Sequence, residues 1–229
     1  MKISVIIPVY NDKDHLEKCL EAFSKQEEKA DEIIVVDNNC TDESMKIASS
    51  YPWVKIIKEK KQGIIAARNA GFASAKHEII MKCDADTIPP SDWIKNVKKN
   101  FEKSKIDALS TNFKFYGVGP LNGSFVWSLW RFFINNTFKC ETIYGACYSL
   151  KKVAWEKIKD KTTLSDKNIH EDIEISFLLK KYGYSIGYDP KLTLEISGRL
   201  MKQPLKQLRY SQTLVKTYLK AKKINYENR

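Results

Sequence analysis

The sequence predicts an α/β fold in which a mostly parallel sheet is flanked by helices and followed by a basic C-terminal helix. In the first half of the chain, short apolar runs alternate with helical patterns, which is typical of a parallel sheet covered on both faces. Polar residues follow directly after three of these runs. Beyond residue 198, basic residues greatly outnumber acidic ones.

Four apolar runs predict the strands of the first half, at residues 3–9, 33–37, 54–58 and 79–83. Between the first two runs, apolar residues recur at the spacing of one helical face; these are Leu16, Cys19, Leu20 and Phe23. Asp42 is a candidate cap for the next helix, and Gly63 begins a further helix that ends near residue 75. After Pro89 and Pro90, the spacing of Ile94, Val97 and Phe101 predicts another helix.

The second half is less regular. It predicts strands near 108–115 and 143–150, helices through 153–155 and from Glu171, and two short strands at 185–188 and 192–196. A glycine-containing loop at 117–123 and an aromatic segment at 125–138 lie between the first two strands. The densest part of the aromatic segment, at 125–134, could be buried or face a lipid interface. We expect one domain over 1–198, divided near residue 104 into a nucleotide-binding half and an acceptor half, and a basic segment over 199–229.

Composition is that of an ordinary folded protein, with 43% hydrophobic and 29% charged residues. The five cysteines are odd in number and lack Cys-x-x-Cys spacing, so we expect free thiols in a reducing compartment. The apolar run at 3–9 is interrupted by Pro8 and predicts a buried strand, not a signal peptide. No stretch approaches the roughly 20 apolar residues that cross a bilayer, so any membrane contact should be peripheral.

Charge is concentrated at the C-terminal end. The chain has a formal net charge of +11, and residues 199–229 contain nine Lys or Arg against the single acidic residue Glu227. Apolar Leu208, Val215 and Leu219 are spaced among these basic residues. This pattern favours a polyanionic partner, either an anionic membrane or a nucleic acid, although a solvated helix face would have the same composition.

Acidic and amide side chains follow three predicted strands, where ligands bind in an open parallel sheet. Asn11 follows the first strand, Asp37 ends the second, and Asp84 and Asp86 follow the fourth. Two carboxylates so close together repel each other unless a cation neutralises them. Mn²⁺ or Mg²⁺ would do so, because such ions prefer carboxylate and phosphate oxygens.

Taken together, these motifs resemble those of the family 2 glycosyltransferases, whose Rossmann-like fold is called GT-A. The resemblance spans roughly residues 3–198. It rests on five motifs in order, namely Val5-Ile6-Ile7-Pro8-Val9-Tyr10-Asn11, Ile34-Val35-Val36-Asp37-Asn38-Asn39-Cys40-Thr41-Asp42, Gly63 with Ala67-Arg68-Asn69-Ala70-Gly71, Asp84-Ala85-Asp86, and Glu171-Asp172. Each motif is unspecific alone, but their order and spacing are specific to the family.

The resemblance implies a donor site built from the first four motifs. Asp37 would accept a hydrogen bond from the nucleotide base, in a pocket lined by Pro8, Tyr10 and Asn11. Arg68 would reach the base or the diphosphate, for which a planar and permanently charged donor is suited. Asp84 would approach the ribose or a metal-bound water, and Asp86 would bind the metal. A surface salt bridge is the alternative role for Arg68.

The resemblance also implies the catalytic base. Asp172 would remove the acceptor hydroxyl proton during a single displacement with inversion, and Glu171 would orient the acceptor. Acidic residues also favour the first turn of a helix without any catalytic role. Gly145 and Ala146 resemble the acceptor-side loop, where a small residue allows close approach of the backbone.

Two departures from the family pattern bear on the metal and the product. Many relatives have a metal-binding His near the last strand, but Ile196-Ser197-Gly198 stands there, so water could replace it. The Gln-x-x-Arg-Trp motif of processive synthases is absent, which favours transfer of a single sugar.

The resemblance therefore implies a metal-dependent enzyme with a UDP-sugar donor favoured and GDP- or dTDP-sugars as alternatives. The acceptor would be lipid-linked or a saccharide, and the enzyme would be cytoplasmic and peripheral on the inner face of the cell membrane. A nucleic-acid-binding protein, supported by charge alone, and a non-catalytic nucleotide-sugar binder are the rival interpretations. A sugar-nucleotide pyrophosphorylase would need a glycine-rich loop where Tyr10 and Asn11 stand.

Overall fold

The computed structural model describes residues 1–117, 131–132, 135–136, 139–163, 170–203, 212–213, 216–217 and 219. The strands in this part of the chain are β1 (Ile3–Val9), β2 (Glu32–Asp37), β3 (Val54–Lys58), β4 (Ile79–Cys83), β5 (Thr87–Ile88), β6 (Ala108–Tyr116), β7 (Cys147–Lys151) and β8 (Ile186–Ser197). They form one mixed sheet in the order β3-β2-β1-β4-β7-β6-β8-β5.

The helices flank this sheet. They are α1 (Lys13–Ser24), α2 (Ser44–Ser49), α3 (Ile64–Ser74), α4 (Trp93–Lys103), α5 (Lys152–Ile158) and α6 (Glu171–Lys181), with short 3₁₀ turns at Lys159–Lys161 and Gly198–Lys202. The predicted α/β class with a mostly parallel sheet is confirmed.

The first half matches the sequence pattern closely. β1 lies between β2 and β4 and is parallel to both, and β3 extends the parallel sheet beyond β2. Every residue of β1 is buried, as expected for a central strand covered on both faces. The predicted apolar face of α1 is buried as well. The four predicted strands and this helix are therefore confirmed, with β2 beginning one residue earlier.

Two hydrophobic clusters cover the two faces of the sheet. Successive residues of β1 point to opposite faces, so Val5 and Ile7 belong to one cluster and Ile6 to the other. Gly71 brings α3 close to the second face, because a Cβ there would lie 2.1 Å from a methyl carbon of Ile6. All five cysteines are free thiols, as predicted.

Two predicted elements of the second half are corrected. The strand expected at 143–150 begins only at Cys147, because the Ile143 N–H donates to the Ser176 hydroxyl and the Gly145 N–H to Asp172 instead of to a neighbouring strand. The two strands expected at 185–188 and 192–196 are the single strand β8. Its pairing with β6 shifts register between Thr111 and Asn112 and continues on both sides of the irregularity.

Several predictions fall outside the described residues. Most of the glycine-containing loop, most of the aromatic segment 125–134 and most of the basic segment 199–229 lie there, including Trp127, Trp130, Leu208 and Val215. Among the residues that are described, no helix combines the length and apolar character needed to cross a membrane.

Candidate active site

The carboxyl ends of β1, β2 and β4 meet at one edge of the sheet and bring the predicted donor-binding residues to a common rim. Tyr10 follows β1 and is 56% exposed, so its ring is accessible from the rim. Pro8 lies within β1 opposite Val36 and is buried. Of these two residues, only Tyr10 presents its side chain to solvent.

Loop contacts fix the residues around Asp37. One carboxylate oxygen of Asp37 accepts the Cys40 N–H at 2.8 Å, and the other lies 3.9 Å from the Lys58 ammonium. Asn11 has a positive φ of 48°, and its side-chain oxygen accepts the Thr41 N–H at 2.7 Å. Asn11 therefore connects the loop after β1 to the loop after β2, which contains the contacts of Asp37.

The Asp84-Ala85-Asp86 turn begins directly after β4. The Asp84 N–H donates to the Ala146 carbonyl at 2.8 Å, and the Thr87 N–H donates to the Asp84 carbonyl at 3.1 Å. Each carboxylate also has a protein cation beside one oxygen, Lys82 at 2.7 Å for Asp84 and Arg199 at 3.0 Å for Asp86. The two acids are therefore paired with different cations.

Burial is the main influence on the acidity of this pair. It raises the pKa of Asp84 to about 7, with Lys82 opposing and Asp86 adding to the effect. The Asp84 side chain is nevertheless 32% exposed, so water screens part of this effect. Burial and the nearby Asp12 raise the pKa of Asp86, against the opposing charge of Arg199. Because both pKa values are raised, the ionised forms of Asp84 and Asp86 would be stabilised by added positive charge.

A divalent ion fits these two carboxylates only with help from other ligands. Within the described part of the chain, no cluster of three acidic, His or Cys side chains can hold a metal ion. The second oxygen of Asp84 and that of Asp86 have no ion-pair partner among the same residues. Mg²⁺ and Mn²⁺ commonly use one or two carboxylates together with phosphate and water oxygens. Asp86 and Asp84 fit that arrangement.

Glu171, the first residue of α6, is buried in a network of charges. Its carboxylate accepts a hydrogen bond from Arg68 of α3, lies 3.5 Å from the Lys82 ammonium, and accepts the Tyr148 hydroxyl at 3.3 Å. Burial by itself would raise the pKa of Glu171, but the charges of Arg68 and Lys82 outweigh it and lower the pKa. Glu171 is therefore held in its ionised form.

This network contains two residues with predicted substrate contacts, Arg68 and Glu171. The Arg68 side chain is 1% exposed and stacks over Trp155, with 5.1 Å between the guanidinium carbon and the ring centre. Glu171 is also buried. The two side chains pair with each other, and the predicted contacts of Arg68 with the donor and of Glu171 with the acceptor stay predictions.

Asp172 differs from Glu171 because its hydrogen-bond donors are neutral backbone N–H groups. One oxygen accepts the Gly145 N–H at 2.8 Å, and the other accepts the Ile173 N–H at 2.8 Å. Among the described residues, no Lys or Arg forms an ion pair with it. Burial and the adjacent charge of Glu171 raise the pKa of Asp172. A carboxylate that is fixed in place and more basic than usual is suited to accept a proton.

Gly145 allows Asp172 to approach the backbone this closely. A Cβ at residue 145 would lie 2.9 Å from the Asp172 carboxylate oxygen, closer than side chains tolerate. The Gly145 N–H thus donates to the Asp172 carboxylate, and the Ala146 carbonyl accepts the backbone N–H of Asp84. The predicted contact of these two residues with the acceptor stays a prediction.

Lys82 is a central residue that the sequence analysis missed. It lies in β4, is 3% exposed, and connects Asp84, Glu171 and the Gly145 carbonyl, to which it donates. The charges of Asp84 and Glu171 outweigh burial and raise its pKa, so it stays protonated. The signal was present, since a lysine inside an apolar run must find buried partners.

Two contacts from the C-terminal segment were also missed. Arg199 pairs with Asp12 and Asp86, and the hydroxyl of Thr217 accepts the His170 N–H at 2.8 Å, directly before α6. Asp86 and the residue directly before α6 therefore both contact residues beyond 198. Of the described residues of that segment, Arg199 and Thr217 make these contacts, and the division into a domain over 1–198 and a basic segment over 199–229 stays a prediction.

Residues 4–151 match the model of a protein family described as glycosyl transferase family 2. The chain is 32% identical over 120 residues to the glycosyltransferase AglE of Haloferax volcanii, which covers 49% of this chain and 40% of AglE. It is 24% identical over 218 residues to a dolichyl N-acetyl-glucosaminyl phosphate glucuronosyltransferase of Methanococcus voltae, covering 83% of this chain and 65% of that protein.

The fold is similar to that of the mannosyltransferase PcManGT of Pyrobaculum calidifontis, solved with GDP-Man and Mn²⁺. The TM-score is 0.79 at 20% identity, over 97% of this chain and 64% of the solved one. This similarity establishes the GT-A fold. The chain spans about two fifths of the length of AglE and about two thirds of the other two proteins.

Proposed function

Because the chain belongs to glycosyl transferase family 2, we propose that it transfers a single sugar from a nucleotide-diphosphate sugar to an acceptor hydroxyl with inversion. The observation that carries this proposal is the Asp172 carboxylate. It is held by two neutral N–H donors and is linked through Gly145 and Lys82 to Asp84 on the donor side. This chain of contacts between Asp172 and the acidic turn that would receive the donor supports Asp172 as the base.

The reaction is a single displacement. Asp172 takes the proton of the acceptor hydroxyl while the acceptor oxygen forms a bond to the anomeric carbon. The bond from that carbon to the diphosphate oxygen breaks, and the nucleoside diphosphate leaves from the opposite face. Glu171, neutralised by Arg68 and Lys82, acts as a positioning residue that fixes the start of α6.

Asp86, with Asp84 beside it, would hold Mn²⁺ or Mg²⁺ between the protein and the donor diphosphate. Bound there, the ion would stabilise the negative charge of the departing diphosphate. PcManGT, of the same fold, was solved with GDP-Man and Mn²⁺, which supports this choice of ion and donor class.

The donor base would lie against Tyr10 and hydrogen-bond to Asp37. Tyr10 offers an exposed ring for stacking, and the second oxygen of Asp37 points to an exposed lysine, Lys58, at 3.9 Å. Uracil and guanine both carry ring N–H groups that a carboxylate can accept. We favour a UDP-sugar, with GDP- and dTDP-sugars as the alternatives.

We place the acceptor among lipid-linked glycans or saccharides, with the enzyme on the cytoplasmic face of an anionic membrane. The basic residues beyond 198 support this, because each Lys or Arg near an anionic leaflet can contribute about 1 kcal/mol. The Methanococcus voltae relative has a dolichyl phosphate acceptor in its name, which supports a lipid-linked acceptor here.

A hydrolysis screen tests the donor. The full chain is incubated with Mn²⁺ and UDP-, GDP- and dTDP-sugars, and release of nucleoside diphosphate is measured. We expect release from one nucleotide class, and loss of release in Asp86→Ala. Calorimetry of the same variant should show that metal-dependent nucleotide binding is lost. Release that is unaffected in Asp86→Ala would exclude Asp86 from the site.

Flotation with liposomes tests the membrane partner against nucleic acid. The full chain is compared with a variant carrying Lys216→Gln, Lys220→Gln, Lys222→Gln and Lys223→Gln, which keeps Arg199 at the site. We expect the wild type to float with phosphatidylserine liposomes at low salt and the variant to float less. Tight binding to duplex DNA without flotation would favour the nucleic-acid interpretation instead.

A further inference from the structure

Arg199 occupies a position between two acidic residues of the candidate donor site. It lies in the 3₁₀ turn that follows β8. Its two terminal nitrogens pair with both oxygens of Asp12 at 2.7 and 2.8 Å, and one of them also lies 3.0 Å from an oxygen of Asp86. One guanidinium thus neutralises a carboxylate from the β1–α1 loop and a second from the turn after β4.

The partners of Arg199 are themselves fixed. The Asp12 N–H donates to the Ser44 hydroxyl at 3.0 Å, and a ring nitrogen of His15 lies 2.7 Å from an Asp12 oxygen. Asp12 is buried, whereas the Arg199 side chain is 47% exposed. The guanidinium is therefore anchored on its Asp12 side and open to solvent elsewhere, where it can meet an anion.

A divalent ion at Asp86 and the guanidinium of Arg199 would be like charges sharing one carboxylate. Such charges repel, and the carboxylate attracts each of them less when the other is present. The diphosphate of a donor changes this balance, because its oxygens can bind the metal ion and accept hydrogen bonds from Arg199 together. Guanidinium is well suited to such oxygens.

We propose that Arg199 is a positioning residue that makes metal binding at Asp86 depend on the diphosphate. Without the diphosphate, Arg199 holds Asp86 and opposes binding of the divalent ion. With it, Arg199 donates to the diphosphate oxygens, and the ion binds between Asp86 and the same anion. This inference rests on the proposed function in assuming that a diphosphate binds at the acidic turn.

The test measures Mn²⁺ binding directly, by electron paramagnetic resonance titration of the full chain without nucleotide and with inorganic pyrophosphate. We expect the wild type to bind Mn²⁺ weakly alone and about tenfold or more tightly with pyrophosphate. Arg199→Gln should bind Mn²⁺ alone about tenfold more tightly than the wild type and gain less from pyrophosphate. A merely structural role for Arg199 would not produce this gain in affinity.

Three further variants make the test specific. Arg199→Lys keeps the charge and should retain the wild-type dependence on pyrophosphate. Lys114→Gln removes an equally exposed cation that pairs with Glu195, and it should leave Mn²⁺ binding unchanged. Adding Asp86→Asn to Arg199→Gln should abolish the gain, because the ion would lose its ligand.

Unchanged or weaker Mn²⁺ binding by Arg199→Gln alone would overturn the inference, as would a gain that survives Asp86→Asn. Pyrophosphate avoids any dependence on the identity of the base and sugar. If the Arg199 effect is found while no nucleotide sugar is hydrolysed, the inference holds and the proposed transfer reaction fails. If sugar transfer is found without the Arg199 effect, the proposed transfer reaction holds and the inference fails.

Discussion

The two acidic pairs of the site are built in opposite ways. In Asp84 and Asp86, each carboxylate has a cation beside one oxygen and keeps the other oxygen for a ligand. In the second pair, Glu171 pairs with Arg68 and shares Lys82 with Asp84, and Asp172 is left with neutral N–H donors. In the first pair, each acid keeps one oxygen that an added ion can reach, whereas in the second the cations pair with one acid and leave its neighbour basic.

The pairs also differ in what holds them. The partners of Glu171 lie on α3 and β4, inside the domain, while Asp86 depends on Arg199 from a turn at the rim. A base must be in place before the reaction and gains from rigid support, whereas an ion site must exchange its partners when the donor binds.

Replacing the base should have the largest effect. Asp172→Asn keeps the shape and one of the two N–H contacts but loses basicity, so we expect turnover to fall by roughly two to four orders of magnitude with donor binding nearly unchanged. Turnover and donor affinity are measured separately, with Asp160→Asn as the control outside the site. Wild-type turnover in Asp172→Asn would place the base elsewhere, and a product with retained configuration would contradict single displacement.

Removing a cation from the buried pair should cost stability. Arg68→Met leaves the Glu171 charge with Lys82 alone, and breaking a buried ion pair typically costs about 3–5 kcal/mol. We expect a loss toward the lower end, measured by urea unfolding, because Lys82 remains. The double variant Arg68→Met with Glu171→Gln should recover part of it. A loss in the double variant equal to the sum of both single losses would show that the pair is not coupled.

Moving the base should cost rate more than stability. In Gly145→Ala, the new Cβ would push against Asp172, and we expect turnover to fall about 10- to 100-fold with the donor KM unchanged. Gly187→Ala is the matched control, since its Cβ would meet Ile106 at the same 2.9 Å. If both variants lose turnover equally, the effect is general crowding and the contact with Asp172 has no special role.

Acid should weaken the second pair through Glu171. Its pKa is lowered in the folded protein, so its charge contributes stability that is present above the unfolded pKa, about 4.3, and lost as pH falls through the folded value. Urea unfolding from pH 7 to pH 3 should therefore show the wild type losing its advantage over Glu171→Gln. A constant difference across that range would mean that the Glu171 charge does not contribute.

The sequence predicts the donor side of the site better than the base side. Strands 3–9, 33–37 and 79–83 are local patterns, and the rule that ligands bind at strand ends brings Asp37, Asp84 and Asp86 to one rim. The positions of Asp86 in a turn and of Asp172 in the first turn of a helix follow from the same local patterns.

The partners of these residues could not be predicted, because they come from distant parts of the chain. Arg199 reaches Asp12 across 187 positions, and Arg68 reaches Glu171 across 103. Local periodicity carries no information on such contacts. The start of β7 was missed for a related reason, since the N–H groups of Ile143 and Gly145 donate to side chains of α6.

The place of β7 in the sheet has a consequence for the order of events during synthesis. One edge of β4 pairs with β1, but the other pairs with residues 147–151, which are synthesised much later. All residues of β4 except Lys82 are apolar. An open apolar edge invites pairing with other chains, and a single charge within it opposes that pairing. Lys82 would thus protect the incomplete sheet before it serves the finished site, and we expect the refolding yield of Lys82→Met to fall more steeply with protein concentration than that of the wild type.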